Sequence, residues 1–220
     1  MNQPAAGASP RPRLGRVTGA EFSQATFDFY RDLELDNSRE FWTRRRDDYE
    51  THVRAPMAAL VAELVEEFGE VKTFRPNRDV RFSKDKSPYK THQGAWVPVG
   101  PAMGWYVQVS ADGLMTGGGF YHAEPDALKS FRQAVNSDGA GLQRRIDELP
   151  RAFEVGGDTL VRVPKGYDPE HPQADLLRHK TLTVGRTYGS LPANVVAQVR
   201  RDWRALLPLI DWLDEALADA

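Results

Sequence analysis

Apolar positions recur at helical spacing from Phe22 through Thr26, Phe29, Tyr30 and Leu33, which predicts an amphipathic helix. Asn37 stands three residues before Glu40, the arrangement of an N-cap facing an acid that bonds back to it. Behind it Trp42, Tyr49 and Val53 form the next apolar stripe, with Arg44, Arg45, Arg46, Asp47 and Asp48 as solvated charge. Pro56 suits the first turn of a new helix, whose stripe Leu60, Val61, Leu64, Val65 and Phe68 ends at Gly69. From Val71 to Tyr121 the period shortens towards two, and short strands are expected near 71–75, 78–83, 94–99, 104–110 and 113–121. The last two flank Ala111-Asp112-Gly113, a good hairpin turn because Asp-Gly tolerates positive φ.

Pro125 opens a further helix with Leu128, Phe131 and Val135 on its core face, and a second short helix is expected over 140–148. Residues 150–190 mix brief strands with loops rich in Pro and Gly. A long last helix follows Pro192, with Val195, Val199, Trp203, Leu206, Ile210, Leu213 and Leu217 on one face and a kink at Pro208. Helices, then strands, then helices, without regular βαβ alternation, give an α+β fold with N-terminal helices, a central mostly antiparallel sheet and C-terminal helices. One domain is expected over residues 20–217. Residues 1–19 have no hydrophobic period and read as a disordered arm, made basic by Arg11, Arg13 and Arg16.

Composition narrows the class. The 220 residues carry 29 Lys and Arg against 31 Asp and Glu, a net charge of −2, which argues against a surface built throughout to grip nucleic acid or anionic membrane. Cysteine is absent, so disulfides, thiolate metal sites and cysteine nucleophiles are excluded. No apolar run approaches the ~20 residues of a membrane span, and the leader has no apolar h-region, so a soluble cytoplasmic protein is expected, with no membrane partner.

The near-neutral total conceals one asymmetry. Between Arg75 and His92 stand six cations (Arg75, Arg78, Arg81, Lys84, Lys86, Lys90) and only two acids, Asp79 and Asp85. If Asp79 to Ser83 is a strand, Asp79, Arg81 and Ser83 share a face, and a partly buried Arg81 there needs either Asp79 or a ligand anion. Ser83 to Pro88 is a polar turn crowded with hydroxyls, ammonium groups and backbone donors, suited to a phosphate or carboxylate. Arg78, Asp79, Arg81, Ser83, Lys84, Lys86, Tyr89 and Lys90 are the ligand-binding candidates. An ordinary solvated charged face is the competing reading.

Gly117, Gly118 and Gly119 end a strand before the helix at Pro125 and can admit a ligand or another backbone; tight strand packing or a bulge explains them equally. The contiguous glycines match neither a dinucleotide fingerprint nor a Walker loop. Among the five histidines, His122 with Glu124 forms a His-x-Glu pair, and His92 closes the basic segment; these three are the acid–base candidates, set against capping or packing roles. No metal site is expected, because no third ligand accompanies His122 and Glu124. His171, Asp175, Arg178, His179 and Lys180 read as the charged end of a short helix anchored by Leu176 and Leu177.

The strings DNSREFW, RDVRFSKDKSPYKTH, GWYVQVSADGLMTGGGFYHAEP and GYDPEHPQADLLRHK occur in the order and spacing that resemble the family called domain of unknown function 2461. The resemblance runs from about Phe22 to the C-terminal helix. It implies a single-domain protein of about this length, and it supplies no reaction and no catalytic residues.

Two functional readings follow. In the first, the Arg/Lys segment binds, or turns over, a phosphate-bearing or carboxylate small molecule, with Tyr106 and Gln108 on an adjacent strand near the triple glycine. In the second, a non-enzymatic interaction module presents the basic segment to an acidic protein or a nucleic-acid backbone, with Phe82, Tyr89, Trp96 and Trp105 available for stacking. The net acidity disfavours nucleic acid. Cofactor and oligomeric state are unassigned by the sequence.

Overall fold

A computed structural model describes residues 21–100 and 103–217; the arm expected over 1–19 lies outside them. Helix α1 (Gln24–Leu35) buries Thr26, Phe29, Tyr30 and Leu33 of the stripe its spacing predicts, and Phe27 besides. Helix α2 (Arg39–Tyr49) is capped by Ser38, whose Oγ accepts from the Phe41 amide, and not by Asn37 as the Asn-to-Glu spacing suggested. Pro56 stands in the first turn of a helix, as expected, but that helix has no separate start. The chain runs on through a π-helical turn (Glu50–Arg54) directly into α3 (Ala55–Phe68), which ends at Gly69 with φ of 99°.

The wide turn has a local cause. Pro56 has no N–H to offer the His52 carbonyl four residues back. The hydroxyl of Thr26, a fully buried α1 residue, donates to that carbonyl instead, at 2.6 Å. The bond replaces a missing helical hydrogen bond and ties α1 to the π turn.

Six strands form one antiparallel sheet: β1 (Lys72–Thr73), β2 (His92–Gly100), β3 (Met103–Ser110), β4 (Gly113–Phe120), β5 (Glu154–Gly156) and β6 (Leu182–Tyr188), in the order β1-β2-β3-β4-β6-β5. The expected strand over 78–83 is absent; those residues belong to a loop. Helix α4 (Pro125–Asp147) is two helical stretches that meet in a kink at the non-helical Asp138, in line with the helix expected from Pro125 and the second short one expected over 140–148. Leu176 and Leu177 anchor the short α5 (Ala174–Leu177), and α6 (Val195–Leu217) carries Pro208 within it.

Alternation along the central strands puts Ala95, Val97, Trp105, Val107, Val109, Leu114, Phe120, Leu182 and Val184 into one hydrophobic cluster with Leu33, Met57, Leu64, Phe131, Trp203, Ile210 and Leu213 from the helices. The contacts of α1, α3 and α6 with the sheet lie on this face. A polar network is set into it. Asp202, 2% exposed, accepts from the Thr116 hydroxyl at 2.7 Å, the Tyr188 hydroxyl at 2.8 Å and Gln198 Nε2 at 2.9 Å, with Arg186 Nη1 at 3.8 Å. The Arg186 guanidinium lies 4.2 Å from the Tyr188 ring centre and 5.7 Å from that of Phe153. Among the described residues no helix is long and apolar enough to cross a membrane.

Candidate functional site

The basic segment leaves the sheet after β1 and returns at β2, and its base is tightly closed. Asn77 and Tyr89 form an antiparallel bridge; the Arg78 amide donates to Pro88 O at 2.9 Å and the Lys90 amide to Pro76 O at 2.8 Å. From outside the segment, Asn37 Nδ2 donates to Tyr89 O at 3.0 Å while its Oδ1 accepts from the Tyr89 amide at 3.1 Å. Trp42 stacks on the Tyr89 ring, 4.1 Å between centres and 9° from parallel. Asn37 and Trp42 of the α2 region therefore position the loop on the sheet edge.

Within the loop both acids serve the backbone. Asp79 accepts from the Arg81 amide and guanidinium, and Asp85 from the Ser87 amide and the Arg78 guanidinium. Lys86 Nζ donates to Val80 O at 2.9 Å. These side-chain bonds compete with strand pairing, which is why alternation over 79–83 does not produce a strand. Arg81, expected to be partly buried, is instead 76% exposed at its side chain, although the expected contact with Asp79 forms at 2.7 Å. Its neighbour Phe82 is 96% exposed. Lys84 is exposed and Ser83 half-buried on the same loop.

A cleft of ≈ 550 Å³ opens between α2 with the π turn on one side and residues 73–77 on the other. Its walls bring together Arg46 and Arg54 from the first side and Arg75 from the second, with Trp42, Tyr49 and Phe74 as aromatic surface. Arg54 is paired with Glu50 at 2.7 Å. Arg46 and Arg75 have no carboxylate within ion-pair distance among the described residues. The wall is held by a relay: Tyr49 OH donates to Gln93 Oε1 at 2.6 Å, and Gln93 Nε2 donates to Phe74 O at 2.7 Å. Burial, with Glu50 adding, pushes the Tyr49 phenol up to about 12, so it stays a donor.

Positive charge is crowded behind this cleft. Lys90 sits 5.2 Å from the Phe74 ring centre, and burial, then Arg75 and Arg78, lower its pKa. His92 is held below the usual imidazole range by burial and then by Lys90 and Arg78. Like charges that depress one another's protonation are relieved by a bound anion.

The triple glycine does not join this cleft. It lies on β4, with β3 between it and β2, and a side chain at 117 or 119 would collide with the backbone of β6; Gly119 also takes φ of 131°. At 118 an added carbon would reach 3.1 Å from Ile210 Cδ1 of α6. Packing accounts for all three. His122 and Glu124 do meet, at 3.1 Å, as an exposed pair; among the described residues no group of three or more His, Asp or Glu side chains converges. His179 is buried with Nδ1 2.8 Å from Thr181 O, and Arg178 pairs with Asp175 at 3.0 Å.

Arg46, Arg54 and Trp42 are the cleft residues the sequence reading passed over, since on α2 and the π turn after it they look like ordinary solvated charge and core. The Asp202 network had a legible signal: 199, 202, 206, 209 and 213 form one continuous core stripe, and a carboxylate stands in it.

A family model described as a conserved hypothetical protein, DUF2461, matches residues 25–212. No curated protein matches the chain.

Proposed function

For a chain that belongs to the DUF2461 family of conserved hypothetical proteins, we propose a binding function: the cleft between α2 and residues 73–77 takes a phosphate-bearing or carboxylate small molecule. Arg46 and Arg75 grip the anion from opposite walls, with Arg54 beside them and Arg78 and Lys90 adding positive potential from behind. The observation that carries this reading is the convergence of three arginines from two separate elements on one aromatic-walled cleft, two of them without a carboxylate partner among the described residues. Arginine forks suit phosphate and carboxylate geometry, and Trp42 and Phe74 offer apolar surface to the rest of the molecule. Ser83, Lys84, Lys86 and Arg81 belong to the neighbouring loop and contribute long-range attraction.

The test is titration of inorganic phosphate, pyrophosphate and citrate, followed by tryptophan fluorescence and calorimetry. At least one of these should bind, and Arg46→Gln with Arg75→Gln should weaken it by about tenfold or more while Arg81→Ala changes it little. Binding that depends on Arg81 and not on Arg46 and Arg75 would overturn the assignment to this cleft.

One observation favours a second reading, an anionic macromolecule met by the loop itself: Phe82 is 96% exposed with the Arg81 guanidinium 5.9 Å from its ring centre. A single-stranded oligonucleotide would then bind with affinity falling steeply as salt rises, and Phe82→Ala would reduce it.

A further inference from the structure

Among the described residues no helix packs on the face of the sheet turned away from the core, where Tyr121 meets the Trp96 ring edge-on at 4.9 Å, and one register row crosses all six strands on it. Reading from edge to edge, Lys72 pairs with Trp96, Trp96 with Tyr106, Tyr106 with Gly117, Gly117 with Gly185 and Gly185 with Glu154. Their strand neighbours Ala95, Val97, Trp105, Val107 and Val184 point into the core, so this row points out. Trp96 and Tyr106 are half-buried, and Lys72 and Glu154 are exposed.

The row is graded from end to end: a cation, two large aromatics, two glycines, an anion. Side chains around it lie flat on the sheet. A side chain at Gly94 would strike the Tyr106 ring, and the Met115 methyl lies 3.0 Å from where one at Gly185 would begin. On one flank Pro98, Gly104, Gly119 and Thr183 continue as small residues on the same face.

We propose that this face is the interface of a two-fold homodimer. A two-fold axis lying between two such faces, parallel to the strands and crossing the row between Tyr106 and Gly117, sets each residue opposite its complement. Lys72 meets the partner's Glu154, Trp96 meets the partner's Gly185, and Tyr106 meets the partner's Gly117. Opposite charges pair at both ends, and each flat-lying aromatic ring faces a glycine position of the partner, where no Cβ stands between the two sheets. The Met115 methyl beside Gly185 gives the incoming Trp96 a polarisable contact. Self-complementarity of this kind is what an isologous interface requires, and near-parallel strands match the aligned class of sheet-on-sheet packing. Six strands at about 4.8 Å spacing span roughly 24 Å. With strands of this length the two faces together bury on the order of 1,000 Å², the lower bound for a specific interface.

The experiment is sedimentation velocity on the full chain from about 1 to about 200 μM, the range a small interface of this kind populates. The wild type is expected to reach twice the 24.7 kDa chain mass. Lys72→Glu and Glu154→Lys each set like charges opposite one another and should weaken the dimer by about tenfold or more. The double exchange restores both pairs and should restore association. Lys72 and Glu154 are exposed at sheet edges, so circular dichroism of the three variants should match the wild type. A wild type that stays monomeric at the top concentration overturns the proposal. So does a dimer that survives both single reversals, or a double exchange no better than the singles. Anion binding in the cleft is measured separately, so failure of one proposal leaves the other standing.

Discussion

The side chain of Asn37 makes both main-chain hydrogen bonds of Tyr89, donating to its carbonyl at 3.0 Å and accepting from its amide at 3.1 Å. It stands in for a neighbouring strand at the place where the basic loop rejoins the sheet. Asn37→Ala leaves that amide and carbonyl without partners beside a buried ring, at a cost of roughly 1–3 kcal/mol. In a chain of this size about 1 kcal/mol lowers Tm by about 2–4 °C. A drop in that proportion is expected, with faster hydrogen exchange at Tyr89. An unchanged exchange rate at Tyr89 would show the clamp to be unimportant.

Thr26 and Pro56 should be coupled. Thr26→Val keeps the shape but leaves the His52 carbonyl unpaired, and about 1–3 kcal/mol should be lost. Pro56→Ala returns an N–H to the helix at that turn, so Thr26→Val should cost less in its presence. Urea unfolding of the four proteins measures the coupling; additive losses would mean the Thr26 hydroxyl is not compensating for the proline.

Asp202 is the most demanding polar group in the core. Thr116, Tyr188, Gln198 and Arg186 all present donors to it. Asp202→Asn removes the charge and sets an amide N–H₂ among those donors, so the loss should be on the order of 3 kcal/mol. Tyr188→Phe removes one donor and should cost about 1 kcal/mol. The Tyr188 phenol is pushed up to about 12 by burial and then by its bond to Asp202. Spectrophotometric titration should therefore find Tyr188 ionising above the ordinary phenol value of about 10. Equal losses for the two variants would contradict this ranking.

What was legible in the sequence was what periodicity carries. The α1 stripe, the strands flanking Asp112 and the long C-terminal helix follow from apolar spacing alone. What was not legible depends on partners far away in the chain. Asn37 looked like a cap because Glu40 is three residues on, but its partner is Tyr89, brought near only by the finished sheet. Arg81 looked half-buried because its neighbours alternate. Arg81 belongs to a loop and not to a strand, and the Asp79 carboxylate takes its amide. Arg46 and Arg75 look like unrelated surface charge until the α2 wall faces residues 73–77.

His92 gives a protonation readout both of stability and of the proposed anion site. Burial, Lys90 and Arg78 hold its folded pKa below the usual value, so the unfolded chain takes up a proton at a pH where the folded chain does not. Stability should therefore fall as pH drops through about 6.5, the ordinary imidazole value, and continue falling until the folded pKa is passed. His92→Gln removes this contribution, so the variant should lose less stability between neutral and mildly acidic pH than the wild type, read by urea unfolding. A bound phosphate or carboxylate adds negative charge near Arg75 and Lys90 and favours protonated His92. The imidazole resonances should therefore titrate at higher pH in saturating anion than without it. In the Arg46→Gln, Arg75→Gln protein the anion should no longer move that midpoint. An anion-induced shift that persists in the variant would place the bound charge away from the cleft.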